Sequence, residues 1–136
     1  NPRPAFYQMY YFQKNMGDRL IEGHKDASGN YEVYASSFSD GKVGLTFVNK
    51  ATTPINIKVN FKNFLVGERM YWYNLTGGTD NGEFSRKVII NGQAPKLDAG
   101  GPSNYATIKP YSATTASGTN VALPARSSVF VIVEKK

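Results

Sequence analysis

Pro54-Ile55-Asn56-Ile57-Lys58-Val59-Asn60-Phe61-Lys62 alternates apolar and polar side chains without a break. Successive residues of a strand point to opposite faces, so Ile55, Ile57, Val59 and Phe61 share one face and Asn56, Lys58, Asn60 and Lys62 the other. One dry and one wet face is the pattern of an antiparallel sheet. Upstream, the stretch 42–50 repeats it with Val43, Leu45 and Phe47, and Asp40-Gly41 before it is a hairpin signal. Downstream, Ser128 to Val133 is apolar on both faces, as expected of a central strand. Further strands are predicted at 18–24, 31–38, 69–76, 84–91 and 120–123. Turns punctuate them at Ser28-Gly29-Asn30, Thr53-Pro54, Gly77-Gly78, Asn81-Gly82, Asn91-Gly92 and Ser117-Gly118. Short antiparallel strands with turns about every ten residues predict an all-β fold, an antiparallel β-sandwich of about seven to nine strands, Ig-like or jelly-roll. Residues 92–119, rich in Gly, Pro, Ser, Thr and Ala, predict a long ordered loop folded onto one sheet edge.

The opening differs. Ala5, Met9, Phe12 and Met16 recur at helical spacing, Pro4 suits a first helical turn, and Gly17 suits a C-terminal cap. One N-terminal α-helix over 4–16 therefore precedes the sandwich. Phe6, Tyr7, Tyr10 and Tyr11 spread around the rest of the cylinder, and a helix apolar on several faces expects burial on several sides. A small sandwich covers one side. The remaining rings are expected to stay partly exposed in the isolated chain and to form a surface that meets another domain.

Composition narrows the class. The chain has 136 residues, room for one core, and its 40% apolar and 19% charged residues are a globular balance. There is no cysteine, which excludes disulfides and thiolate zinc sites. The net charge of +6 is dispersed over Lys42, Lys50, Lys58, Lys62, Arg69, Arg86, Lys87 and Lys96, without a basic tail. No nucleic-acid partner is expected, and no apolar run is long enough for a membrane span. An opening at Asn1 rather than Met is expected of a processed product or an excised fragment.

Ten carboxylates are present, mostly in turns and at strand ends. Cleaving a glycosidic bond needs two, one on each side of it. A jelly-roll hydrolase places them on inward-facing strand positions in a cleft; Glu22 and Glu32 are candidates for such a pair, but each sits among polar, exposed neighbours, so no catalytic residue is expected. His24 is the single histidine, too few for a triad or a two-histidine metal site, and no metal or cofactor is expected. Thr79-Asp80-Asn81-Gly82-Glu83 reads as an Asx turn, with a calcium loop as the alternative. Asn74-Leu75-Thr76 is a glycosylation sequon. Met70-Tyr71-Trp72-Tyr73 puts Tyr71 and Tyr73 on one face of a strand and Trp72 on the other. One pair belongs to the core. The other is either covered by the helix or the long loop, or forms a platform for sugar rings together with Tyr105.

The order of several stretches resembles one family. Pro4-Ala5-Phe6-Tyr7 through Phe12, followed by Met16-Gly17-Asp18-Arg19-Leu20-Ile21-Glu22, is similar to the last helix of a (β/α)8 barrel in retaining glycoside hydrolases and the strand that leaves it. Val33-Tyr34-Ala35-Ser36-Ser37, Val43-Gly44-Leu45-Thr46-Phe47-Val48-Asn49-Lys50, Tyr71-Trp72-Tyr73-Asn74-Leu75 and Leu123-Pro124-Ala125-Arg126-Ser127-Ser128-Val129 resemble their C-terminal sandwich. Within that family the chain resembles arabinofuranosidase-like and endoglucanase-like enzymes. The resemblance implies a division into a barrel-derived helix (1–17) and a sandwich (18–136). It implies a non-catalytic accessory domain that packs on the catalytic barrel of the same polypeptide, in a secreted, periplasmic or cell-surface protein of bacterial type. The alternative it leaves open is a carbohydrate-binding module holding polysaccharide through surface aromatics. In that family the catalytic glutamates lie on barrel strands, one of them after an Asn, and this chain has no Asn-Glu pair.

Overall fold

In the computed structural model, residues 3–78 and 85–136 are described. A helix, α1 (Pro4–Asn15), leads into β1 (Arg19–Lys25), β2 (Tyr31–Ser37), β3 (Val43–Asn49), β4 (Ile55–Val59) and β5 (Val66–Gly77). After β6 (Val88–Ile90) and a 3-10 turn (Tyr105–Thr107) come β7 (Tyr111–Thr114), β8 (Thr119–Leu123) and β9 (Ser127–Lys135). The large sheet runs β1-β2-β3-β9-β5-β6, with β7 also paired to β5, and β4 with β8 forms the second layer. Every pair of named strands is antiparallel. The fold is thus an antiparallel β-sandwich preceded by one helix, with nine strands among the described residues.

β9 lies between β3 and β5, the central place its two-faced apolar run demands. Its alternation divides the interior in two. Val129, Val131 and Val133 point to the β4–β8 layer and pack with Val43, Leu45, Phe47, Met70, Val121 and Leu123. Phe130 points the other way, into a cluster with Tyr7, Tyr11, Tyr73, Leu75, Val88, Ile90 and Ile108. Each fully buried aliphatic side chain stabilises by about 1.5–3 kcal/mol, so both cores matter. Ile55, Ile57 and Val59 face the first core and Asn56 and Lys58 face solvent, as their alternation requires. The β2–β3 hairpin closes at Gly41, whose φ of 95° a side chain would resist.

α1 lies on the outer face of the large sheet, against β9 and β3. Pro4 opens it, and Met16 ends it in extended conformation, donating its N–H to the Phe12 carbonyl. Gly17 is therefore not a left-handed cap. It is needed because a Cβ there would lie 2.0 Å from the Ser37 carbonyl oxygen. Gly44 has the same cause: a Cβ would meet the Asn15 carbonyl oxygen at 2.2 Å, so the end of the helix rests on bare strand. Residues 92–119 do lie along a sheet edge, but 111–114 form a strand on β5 where a loop was expected.

Candidate functional site

The helix turns its sides opposite to the expectation from its spacing. The buried stripe is Tyr7, Tyr11 and Asn15, not Ala5, Met9, Phe12 and Met16. Tyr11 is fully buried, its ring 4.8 Å from Tyr73 and its hydroxyl donating to the Tyr105 carbonyl at 2.6 Å. Tyrosine wins these positions because the gap between sheet and long loop has an apolar body and main-chain acceptors at its far side. Burial, and then the phenols of Tyr73, Tyr10 and Tyr105, push the Tyr11 hydroxyl far above its ordinary range. Of the four rings expected to stay partly exposed, Tyr7 and Tyr11 are buried within the chain, Tyr10 is half-buried, and Phe6 is 40% exposed.

Of the stripe at helical spacing, Ala5, Met9 and Phe12 face outward and Met16 is half-buried. Met9 is 71% exposed and Phe12 44%. Beside them the sheet continues uncovered. Register carries the direction across it: Tyr34 pairs Thr46, which pairs Phe130, and Leu20 pairs Ser36, which pairs Gly44. Leu20 and Tyr34 therefore stand on the helix side, and both are exposed. Between the helix and these strands runs a groove of about 470 Å³ lined by Met9, Phe12, Tyr34, Thr46, Val48 and Phe130. The Thr46 hydroxyl is buried there without a hydrogen-bond partner, which is costly for a polar group.

The rings offered as an alternative sugar platform do not share one face. Tyr71 and Tyr73 face α1, where Tyr73 is buried with its hydroxyl donating to the Ile108 carbonyl at 3.0 Å. Tyr71 donates to the Glu134 carboxylate at 2.9 Å. Trp72 points to the other side of the sheet, against the first core. Tyr105 is half-buried, edge-on to Phe6, Tyr7 and Tyr10 at 5.1–5.5 Å. The structure thus gathers Tyr73 and Tyr105 with the helix rings and separates them from Trp72. Tyr111, which the sequence did not single out, is the ring beside Trp72.

The Glu32 carboxylate accepts from the Tyr34 hydroxyl at 2.7 Å and from Lys50 at 3.0 Å. These bonds hold it below the ordinary carboxyl range, so it does not store a proton for a leaving group at neutral pH. The side chain of Glu22 lies outside the described residues, as does the Asp80–Glu83 turn. Among the described residues no three His, Cys, Asp or Glu side chains converge on a metal-sized site. Asn74 is half-buried on a strand with its side chain toward the second layer, a poor place for a glycan. Among the described residues no helix is long and apolar enough to cross a membrane.

No known protein family matches the sequence, and no curated protein does. Solved structures do match its fold. The chain is similar to the arabinose-bound α-L-arabinofuranosidase MgGH51, with a TM-score of 0.69 and 16% identity over 97% of this chain and 19% of that one. It is similar to the GH51 α-L-arabinofuranosidase of Thermotoga petrophila, with a TM-score of 0.64 and 14% identity over 96% and 29%. Against the GH30 subfamily 8 xylanase Xyn30A of Clostridium acetobutylicum the TM-score is 0.57, with 21% identity over 94% and 27%. At these identities the likeness is one of fold. The similar structures are glycoside hydrolases, and this chain spans less than a third of each of these three.

Proposed function

We propose that this chain is a non-catalytic accessory sandwich of a polysaccharide-degrading glycoside hydrolase, and that it packs on the catalytic barrel of the same polypeptide and stabilises it. The observation that carries the reading is the outward stripe of α1. Met9 and Phe12 continue into Tyr34 and Leu20 on the open face of the sheet, a set of large apolar groups that one isolated domain has no reason to gather. The occupant is argued from the company the fold keeps: in glycoside hydrolases the same fold makes up 19–29% of much longer chains. A docked neighbour that also offers a donor or acceptor to Thr46 removes the cost of its orphaned hydroxyl. A stable interface of this kind covers about 800 Å² on each partner. The groove beside α1 is lined by no carboxylate, and hydrolysis, which needs two, is assigned to the partner domain.

The test is paired. Phe12→Asp and Leu20→Asp are introduced into the intact hydrolase and into the 136-residue chain. The reading expects faster thermal inactivation of the hydrolase and an unchanged melting midpoint of the isolated chain. A hydrolase as stable as the wild type, or a gene product without a hydrolase domain, contradicts it.

A further inference from the structure

The two layers of the sandwich differ in width. Among the described residues the second layer is β4 and β8 alone, whereas the large sheet runs six strands along its main path. On the inner face of β5, Met70 is buried with Val121 and Leu123 of β8, whereas Trp72 and Asn74 farther along the strand are only half-buried. A cleft of about 430 Å³ lies there, between Trp72 and Asn74 of β5, Tyr111 of β7 and residues 120–122 of β8. Its floor is Val121 and Val131.

Three features give the cleft a chemical preference. Trp72 and Tyr111 have ring centroids 5.8 Å apart and planes at 52°, and Tyr111 is 42% exposed, so two aromatic walls meet at an open mouth. Polar amides stand next to them. The Asn74 Oδ1 is buried and accepts no hydrogen bond, and the Asn120 amide reaches only the Ser117 carbonyl, at 3.5 Å. Finally, no Asp, Glu, Lys or Arg lines the cleft among the described residues, although the chain as a whole carries +6. Aromatic faces flanked by amides and free of charge match a molecule with apolar C–H faces and a rim of neutral hydroxyls.

We infer that the Trp72–Tyr111 cleft is a binding site for a neutral saccharide, sized for one or two sugar units of a chain. The site is independent of the docking face. Strand alternation puts Trp72 and Asn74 on the β4–β8 side of the large sheet, while Tyr71, Tyr73 and α1 occupy the other. Saccharide binding and docking therefore do not compete for surface, and either stands if the other fails. The sequence hid the site because Tyr111 lies in a stretch that reads as loop, and its partner ring is 39 positions away by number (111 minus 72).

Trp72 is the only tryptophan, so its fluorescence reports on the cleft directly. The 136-residue chain is titrated with xylohexaose, cellohexaose, arabinohexaose and neoagarohexaose at up to millimolar concentration. The inference expects a saturable change in Trp72 emission with at least one of them. Tyr111→Ala is expected to weaken that binding by about tenfold or more, as loss of an aromatic anchor does. Asn120→Ala is expected to weaken it as well, and Leu97→Ser, an exposed residue that does not line the cleft, to leave it unchanged. Far-ultraviolet circular dichroism confirms that each variant is folded. No saturable change with any of the four sugars overturns the inference, and so does binding that Tyr111→Ala and Asn120→Ala leave intact.

Discussion

Replacing Tyr11 separates a helix that is part of this fold from one that merely lies on it. Tyr11 is fully buried, packs on Tyr73 and Phe130, and donates to the Tyr105 carbonyl. A buried tyrosine removes about 200 Å² from water, worth about 5 kcal/mol at 25 cal/mol per Å² as an upper figure. Truncation to alanine keeps the Cβ and leaves a cavity, so Tyr11→Ala is expected to cost about 3–5 kcal/mol. Tyr11→Phe keeps the ring and orphans one carbonyl, for about 1–2 kcal/mol. Met9 supplies the contrast on the same helix: at 71% exposure, Met9→Ala is expected to cost under about 1 kcal/mol. Against a total of about 5–15 kcal/mol these differences are plain in guanidinium melts followed by far-ultraviolet circular dichroism. If Tyr11→Ala unfolds at the same denaturant concentration as Met9→Ala, the helix does not contribute to this core and the reasoning fails.

Three further expectations follow from single contacts. The Asn49 side chain donates to the Thr53 and Pro124 carbonyls and accepts from the Ala51 N–H, tying the β3–β4 and β8–β9 turns together. Asn49→Ala is expected to lose about 2–4 kcal/mol in the same melts, because it orphans several main-chain groups at once. Gly44→Val forces a side chain against the Asn15 carbonyl and is expected to cost about 1–3 kcal/mol and to weaken the near-ultraviolet signal of the tyrosine cluster. The third concerns alkaline pH. Burial chiefly raises the folded-state pKa of Tyr11 and of Tyr73 above the ordinary phenol value of 10.0. Their contribution is therefore whole below about pH 10 and is lost as pH climbs toward the folded values. The melting midpoint should fall above that pH, less steeply in Tyr11→Phe.

What the sequence disclosed depended on how many neighbours a residue needs. The Ile55–Val59 alternation and the two-faced run ending at Val133 are strand-local signals, and both elements lie where they were expected. Residues 111–114 carry too little pattern in four positions to show as a strand, and only β5 makes them one. The helix was legible but its orientation was not. Two stripes compete on it, Met9 with Phe12 and Tyr7 with Tyr11, and hydrophobicity favours the first. The Tyr105 carbonyl, which accepts from Tyr11, favours the tyrosine stripe inside, and that acceptor lies far along the chain. The aromatic run 70–73 likewise predicted opposed faces correctly, whereas the second ring beside Trp72 came from a distant strand.

Docking as proposed requires the Met9 side of α1 to be covered in the proposed hydrolase. Peroxide oxidation of each methionine, read by mass spectrometry, measures this, because thioether oxidation follows exposure. In the isolated chain Met9 should oxidise quickly and the buried Met70 slowly. In the proposed full-length hydrolase Met9 should become several-fold slower while Met70 stays as it was. Equal Met9 rates in the two proteins would mean that nothing docks there.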